Sequence, residues 1–163
     1  MGRRFTEEAV EAWADSEPGV SVASATISPL HAGTYETTVE TRSIDPEFRA
    51  TTLSRFDRTC PVSGVDHPAL LDVAHVLSWS EYPDHRGDLR NVVPLSKTHH
   101  AAFDRGFFTV DSEYRIRVNP EFETESSLLR ETIVEQAGRE VATLDGRISA
   151  QYLRKHNGPL DWV

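Results

Sequence analysis

Four residues of this chain have the types and spacing to do chemistry together: His75, Asn91, His100 and Asp104. Hydrolysis of a phosphodiester needs an activated water, neutralisation of charge on the phosphorane and a stabilised leaving oxygen. One general base and one divalent metal can meet all three needs. His75 is the candidate base. It interrupts an apolar run, Ala69–Leu77, where a polar ring would not be chosen for packing alone. Its ordinary pKa, near ~6.5, suits proton uptake at neutral pH. The competing reading is a hydrogen-bonded core histidine. His100 and Asp104 are four residues apart, so a helix puts both on one face, where they could share a metal. The same spacing also serves a plain surface hydrogen bond. Asn91 stands sixteen residues after His75 and nine before His100; its amide could hold the His75 imidazole or close the loop between them.

The elements that must position these groups follow from the pattern. Ala69–Leu77 reads as a buried strand ending near His75, and residues 82–88, with Pro83, Asp84 and Gly87, read as a loop. A short apolar segment follows Asn91. A short helix over Thr98–Phe103 is closed by Gly106 as a C-cap. This helix carries His100 and Asp104 on one side and His99 on another, where His99 reads as phosphate-contacting or structural. Asp45-Pro46 marks a helix start, and Phe48, Thr52, Leu53 and Phe56 give residues 46–58 an amphipathic helical pattern. Its other face, with Arg49, Arg55 and Arg58, is either solvated or in contact with phosphate. Phe107–Asp111 and Tyr114–Val118 predict a hairpin, and helices are predicted over Ser126–Gln136 and Ser149–His156. Towards the start of the chain, residues 6–15 predict a helix and residues 20–44 weak strands.

Taken in order, Ala74-His75, Asn91, His100 and Asp104 resemble the HNH endonuclease family and its ββα-metal motif. The wider pattern is similar to the restriction-endonuclease-like HNH branch. It runs through Cys60-Pro61-Val62-Ser63-Gly64, Asp72-Val73-Ala74-His75-Val76 and Asn91-Val92-Val93-Pro94-Leu95. It continues through His99-His100-Ala101-Ala102-Phe103-Asp104-Arg105-Gly106 to Tyr152-Leu153-Arg154-Lys155-His156. The resemblance implies an α+β fold: a ββα-metal core, a following β-hairpin and flanking helices. Residues 46–118 would form the nuclease core, 119–163 a helical extension of the same domain, and 1–45 an N-terminal helix and strands. By the same resemblance His75 activates water, Asn91 orients the site, and His100 with Asp104 binds metal. DNA is then the substrate, cut to leave a 5′-phosphate.

One position departs from the pattern. Many HNH nucleases carry a metal-binding His or Asp just before the base, and here that residue is Ala74. Asp72 lies on the same side of the strand, about 6.6 Å further back. It is a candidate replacement ligand, directly if the strand bends or through a water; otherwise it plays a supporting role. A metal held by two side chains and several waters suits Mg²⁺ or Mn²⁺, while imidazole plus carboxylate also accommodates Zn²⁺ or Ni²⁺. Arg105, Lys97, His99 and Arg90 are candidate substrate-binding residues around this site.

Composition limits the alternatives. With 163 residues, the chain is long enough for one domain with a modest core. Its formal net charge of −9, with only Lys97 and Lys155 as lysines, is unusual for a nucleic-acid enzyme. Either a salt-adapted surface or an ordinary acidic protein accounts for it. The cations Arg86, Arg90, Lys97 and Arg105 cluster around the histidines and could still steer phosphate. Cys60 is the only cysteine, so no intrachain disulfide and no Cys-rich zinc knuckle can form. No stretch has the length of a membrane helix. The opening residues do not read as a secretion signal, so a cytoplasmic location is expected. A homo-oligomer is compatible with the sequence but nothing in it indicates one. The reading is a metal-dependent endonuclease acting on DNA in restriction or defence. The alternative is an inactive HNH scaffold that binds nucleic acid or a partner.

Overall fold

A computed structural model describes residues 44–163, all within one compact unit, residues 42–163. The helix expected at 6–15 and the strands expected before residue 44 lie outside the described residues.

The fold is α+β, with two two-stranded antiparallel sheets and four α-helices among the described residues. Helix α1 spans Pro46–Ser54. The Asp45 carboxylate accepts from the backbone N–H groups of Glu47 and Phe48 at 2.8 and 3.0 Å, and Pro46 takes the first helical position. The helix is shorter than the 46–58 expected. Asp57 and Arg58 have φ of 52° and 55°, a left-handed pair that no α-helix can include. Even so Thr52, Leu53 and Phe56 reach the core as the pattern required.

Strand β1 is Leu71–His75 and strand β2 is Val92–Ser96. They pair with Leu71 opposite Ser96 and His75 opposite Val92. The expected strand start at Ala69 is displaced because Pro68–Leu70 forms a 3₁₀ turn. Pro94 is tolerated in β2 because a two-stranded ribbon always offers an outer edge that needs no N–H. Helix α2, Lys97–Asp104, follows β2 without a loop. Ser96 serves as the last residue of β2 and as the cap of α2, its Oγ accepting from His99 N at 3.3 Å. Gly106 then turns the chain with φ 67°. A Cβ there would meet nothing within 4 Å, so conformation rather than space selects glycine.

Strands β3 (Phe108–Val110) and β4 (Ile116–Val118) form the predicted hairpin. Helix α3 is Ser127–Thr132 and helix α4 is Ala150–Asn157. Helix α3 ends before the expected Gln136 because Ile133 leaves helical geometry, and a 3₁₀ turn over Val134–Gln136 follows. Helix α4 is pinned to β3: Asn157 Nδ2 donates to Val110 O at 2.8 Å and Thr109 Oγ1 donates to Asn157 Oδ1 at 2.7 Å. One core, including Leu71, Leu95, Phe103, Phe108, Ile116 and Leu153, joins these elements. Full burial of each large apolar side chain is worth roughly 1.5–3 kcal/mol.

Two of the three arginines in and just after α1 are taken up by backbone carbonyls. Arg49 donates to the carbonyls of Pro68 and Leu71 at 2.9 and 3.0 Å. Arg55 donates to the carbonyls of Leu89 and Arg147. Arg58 is exposed.

The hairpin turn rests on Asp111, which is 8% exposed. Its carboxylate accepts from Glu113 N and Arg115 N at 2.9 Å each and from Arg117 Nε at 2.7 Å. Burial pushes this carboxyl up, but those donors outweigh burial and hold it below the ordinary carboxylate range. The unfolded chain therefore binds the proton more readily. The stabilisation is complete above the unfolded pKa, near ~3.9, and is lost as pH falls through the lower folded value. Asp111→Asn is expected to cost about 2 kcal/mol at pH 7 and to flatten the acid side of the stability curve below about pH 4. Urea melts of both proteins at pH 7 and across the acid limb check this; parallel acid limbs would remove Asp111 from the account.

Candidate active site

His75 ends β1, so strand alternation fixes its direction. It shares a face with Val73, and both line a cleft of about 360 Å³. Ala74, on the other face, is fully buried in the core and offers no donor atom. His75 Nε2 lies 3.0 Å from the Arg86 carbonyl oxygen. A carbonyl only accepts, so Nε2 carries the hydrogen, and in the neutral ring the lone pair is on Nδ1. That is the form a base requires. The ring also meets Trp79 in a T-shaped contact with centroids 5.3 Å apart.

Asn91 is completely buried. Its Oδ1 accepts from Leu77 N at 2.8 Å, and its Nδ2 donates to Leu77 O and His85 O at 3.2 and 3.0 Å. The Asn91 carbonyl also accepts from Val76 N at 2.9 Å. The amide does not hold the His75 ring. It closes the loop, tying the residues just after His75 to His85 and so setting where the Arg86 carbonyl lies. Each such buried bond is expensive to leave unmade, at about 1–3 kcal/mol.

Helix α2 separates the two neighbouring histidines as a 100° step requires. His100 faces the cleft together with Asp104. His99 is 2% exposed and faces the packing against α3. The Thr132 hydroxyl donates to Leu128 O at 2.6 Å, so its oxygen accepts from His99 Nε2 at 2.9 Å. His99 Nδ1 then accepts from Ser96 Oγ at 2.8 Å. Burial pushes the His99 imidazole below its ordinary pKa, against the contact with Thr132. Both nitrogens are used within the protein and the ring is not part of the cleft.

His100 sits between two acids. Its Nδ1 is 3.3 Å from Asp72 Oδ2 and its Nε2 is 3.3 Å from Asp104 Oδ2. Asp72 and Asp104 therefore meet opposite edges of one ring. Asp72 is also paired with Lys97 Nζ at 3.0 Å. Burial pushes the Asp72 carboxyl up, but Lys97 and His100 outweigh this and hold it below the carboxylate range. Among the described residues no three His, Cys, Asp or Glu side chains converge as a ready-made metal cage. The pair His100–Asp104 nonetheless fits an ion. With Nδ1–H given to Asp72, Nε2 is a lone pair facing a carboxylate oxygen, an arrangement that only a proton or a metal cation makes favourable. Ligand bonds of ~2.0–2.2 Å put two donor atoms about 3.0 Å apart at a right angle and about 3.4 Å apart at a tetrahedral one. The observed 3.3 Å lies between them.

The remaining candidates are dispersed. Arg90 is exposed and pairs with Asp88 at 3.2 Å; Arg105 is exposed at the end of α2. Two cleft residues carried no signal of their own in the sequence. Trp79 is half-buried at the cleft wall with the Arg86 guanidinium 4.8 Å from its ring centroid. His156, from α4, also lines the cleft and stacks on Phe103 at 4.7 Å and 9°. Burial pushes its imidazole down, opposed by a hydrogen bond to the Val76 backbone and by Asp104. The only sequence hint for His156 was its place in the closing Tyr152–His156 run.

Residues 60–111 match the model of the HNH endonuclease family. This segment, about a third of the chain, contains His75, Asn91, His100 and Asp104. The family is described as HNH endonuclease, which points to nuclease-type function; HNH domains in general bind a divalent metal. No curated protein matches the chain. No helix among the described residues is long and apolar enough to cross a membrane.

Proposed function

We propose that this chain is a metal-dependent endonuclease that hydrolyses DNA phosphodiester bonds, with His75 as the general base. Residues 46–118 form its catalytic core and 119–163 a helical extension of the same domain. The observation that carries the reading is that His75, from a strand, and His100 and Asp104, from a helix, line one cleft.

The parts divide as follows. The Arg86 carbonyl holds Nε2–H of His75 and so keeps Nδ1 as the proton acceptor for an attacking water. Asn91 fixes the loop that supplies that carbonyl. His100 Nε2 and Asp104 would hold the metal, while Asp72 takes Nδ1–H and sets the ring's tautomer and angle, the carboxylate–histidine arrangement common beside metal sites. When bound, the metal supplies charge neutralisation at the phosphate and at the leaving oxygen. Two protein ligands completed by water suit Mg²⁺ or Mn²⁺. Lys97, beside Asp72, and the exposed Arg90 and Arg105 are the cations available to a phosphate, against the protein's overall acidity. A cytoplasmic place and a role in restriction or defence fit this activity.

The test is nicking of supercoiled plasmid by the purified chain with Mg²⁺, Mn²⁺, Ni²⁺ or EDTA, at low and high salt. Metal-dependent cleavage is expected. Ala74 in the core and the missing third donor favour one rival, an inactive scaffold that still binds nucleic acid. Binding without cleavage under every metal would establish that rival.

A further inference from the structure

We propose that Tyr152, in the C-terminal helix α4 and outside the family-matching segment, is a positioning residue for the His75 base; the inference rests on His75 having that role.

The carbonyl that fixes the tautomer of His75 belongs to Arg86, in a polar stretch with no sheet partner. Three of the ties that hold this stretch bear on that carbonyl. Asn91 holds the His85 carbonyl. Arg86 reaches back through Nε to the Trp79 carbonyl at 2.8 Å. The third tie comes from α4. The Tyr152 hydroxyl donates to Asp88 Oδ2 at 2.8 Å and lies 3.3 Å from His85 Nδ1. His85 and Asp88 flank Arg86 and Gly87, so one hydroxyl staples the chain on both sides of the functional carbonyl. The rings of His85 and Tyr152 also pack, with centroids 4.9 Å apart. Lys155 Nζ, one residue before His156, lies 4.3 Å from the Tyr82 ring centroid at the start of the same loop.

The electrostatics agree with a maintained bond. The hydrogen bond to Asp88 holds the Tyr152 phenol above its ordinary pKa. Burial pushes Asp88 up, but the backbone and side chain of Arg90 and the Tyr152 hydroxyl outweigh it, and its carboxyl stays below the ordinary range. Tyr152 thus remains the donor and Asp88 the charged acceptor through the neutral range. Tyr152 and His156 are four residues apart, so one face of α4 addresses both the loop and the cleft. The position of α4 is itself set independently, by the Asn157 bonds to β3.

The test uses the full 163-residue chain labelled with ¹⁵N-histidine. In the wild type, imidazole spectra are expected to show His75 as the Nε2–H tautomer. Tyr152→Phe keeps the ring and its packing on His85 and removes only the hydroxyl. It is expected to convert His75 to a mixture of tautomers and to lower kcat for plasmid nicking on the order of tenfold, with KM and the metal half-saturation unchanged. Asp88→Asn weakens the same tie from the loop side and is expected to show the same spectral change. A His75 signal unchanged by both variants overturns the proposal, as does a wild-type ring that is not Nε2–H. A tautomer change in a chain that never cleaves would uphold the mechanical link and sink the nuclease reading instead, so the two can fail separately.

Discussion

His75→Ala is expected to lower metal-dependent nicking by about 10²–10⁴-fold, the range for loss of a general base, with folding intact. The two halves of this expectation have separate grounds. Activity should collapse because His75 is the cleft group whose proton-accepting nitrogen is set by a backbone carbonyl, through the 3.0 Å contact to Arg86. Stability should survive because the ring is only half-buried, at the end of a strand. Its removal enlarges an open cleft and does not leave a closed void. The control is His99→Ala, which should do the opposite. That ring is 2% exposed, and its loss would leave a void and take from the Ser96 hydroxyl its acceptor, so stability falls while the remaining folded protein cuts at the normal rate. Single-turnover rates beside thermal melts separate the two. Cleavage by His75→Ala within a few-fold of wild type would remove the base assignment.

How the sequence carried these assignments follows from the kind of interaction involved. Period and spacing are local, so what depends on them was legible. The apolar run placed His75 at a strand end, the 100° helical step divided His99 from His100, and the runs on either side of Asp111-Ser112-Glu113 marked the β3–β4 hairpin. The buried role of Asn91 was foreseeable only as one of two uses of an amide, and the loop-closing use is the one observed. What was not legible is long-range donation to backbone. Nothing in the pattern of α1 says that Arg49 and Arg55 will satisfy carbonyls many residues away. Nor does anything around Tyr152 say that its hydroxyl will meet Asp88, 64 positions earlier. The end of α1 falls short of residue 58 because the chain turns left-handed at Asp57 and Arg58, with Arg58 N bonded back to Leu53 O at 2.8 Å, a local turn that the apolar spacing does not show.

The net charge of −9 looks unfavourable to a polyanionic substrate, yet the exposed cations Lys97 and Arg90 are weakly committed. The side chains of Lys97 and Arg90 are 60% and 66% exposed, and each pairs with one carboxylate. Exposed pairs of this kind contribute little to stability, so a phosphate can replace them. Salt screens both these attractions and the repulsion from the rest of the acidic surface, so binding should fall with salt less steeply than for a basic nuclease.

The second large effect concerns the metal. His100→Ala is expected to abolish measurable nicking at all metal concentrations, and Asp104→Ala to come close to it, because they remove the two atoms 3.3 Å apart that suit an ion. Asp72→Asn should behave differently. Asp72 meets the far edge of the imidazole, at Nδ1, so its loss frees the tautomer and tilt of the ring without taking away a ligand. Loss of such an orienting partner typically costs about 10–100-fold in metal affinity or activity, and the deficit should be recovered by raising Mn²⁺. Calorimetric Mn²⁺ titration supplies a readout independent of cleavage: a weakened but intact site for Asp72→Asn and no site for His100→Ala. The alternative is that Asp72 stands in directly for the donor missing at Ala74. That would require the carboxylate to leave Lys97 and swing past the ring to the Nε2 side. In that case Asp72→Asn would resist rescue at any Mn²⁺ concentration, and Lys97→Ala, by releasing Asp72, would tighten metal binding. Under the arrangement in the structure Lys97→Ala should leave it nearly unchanged, so the lysine variant decides between a carboxylate that orients the histidine and one that binds the ion.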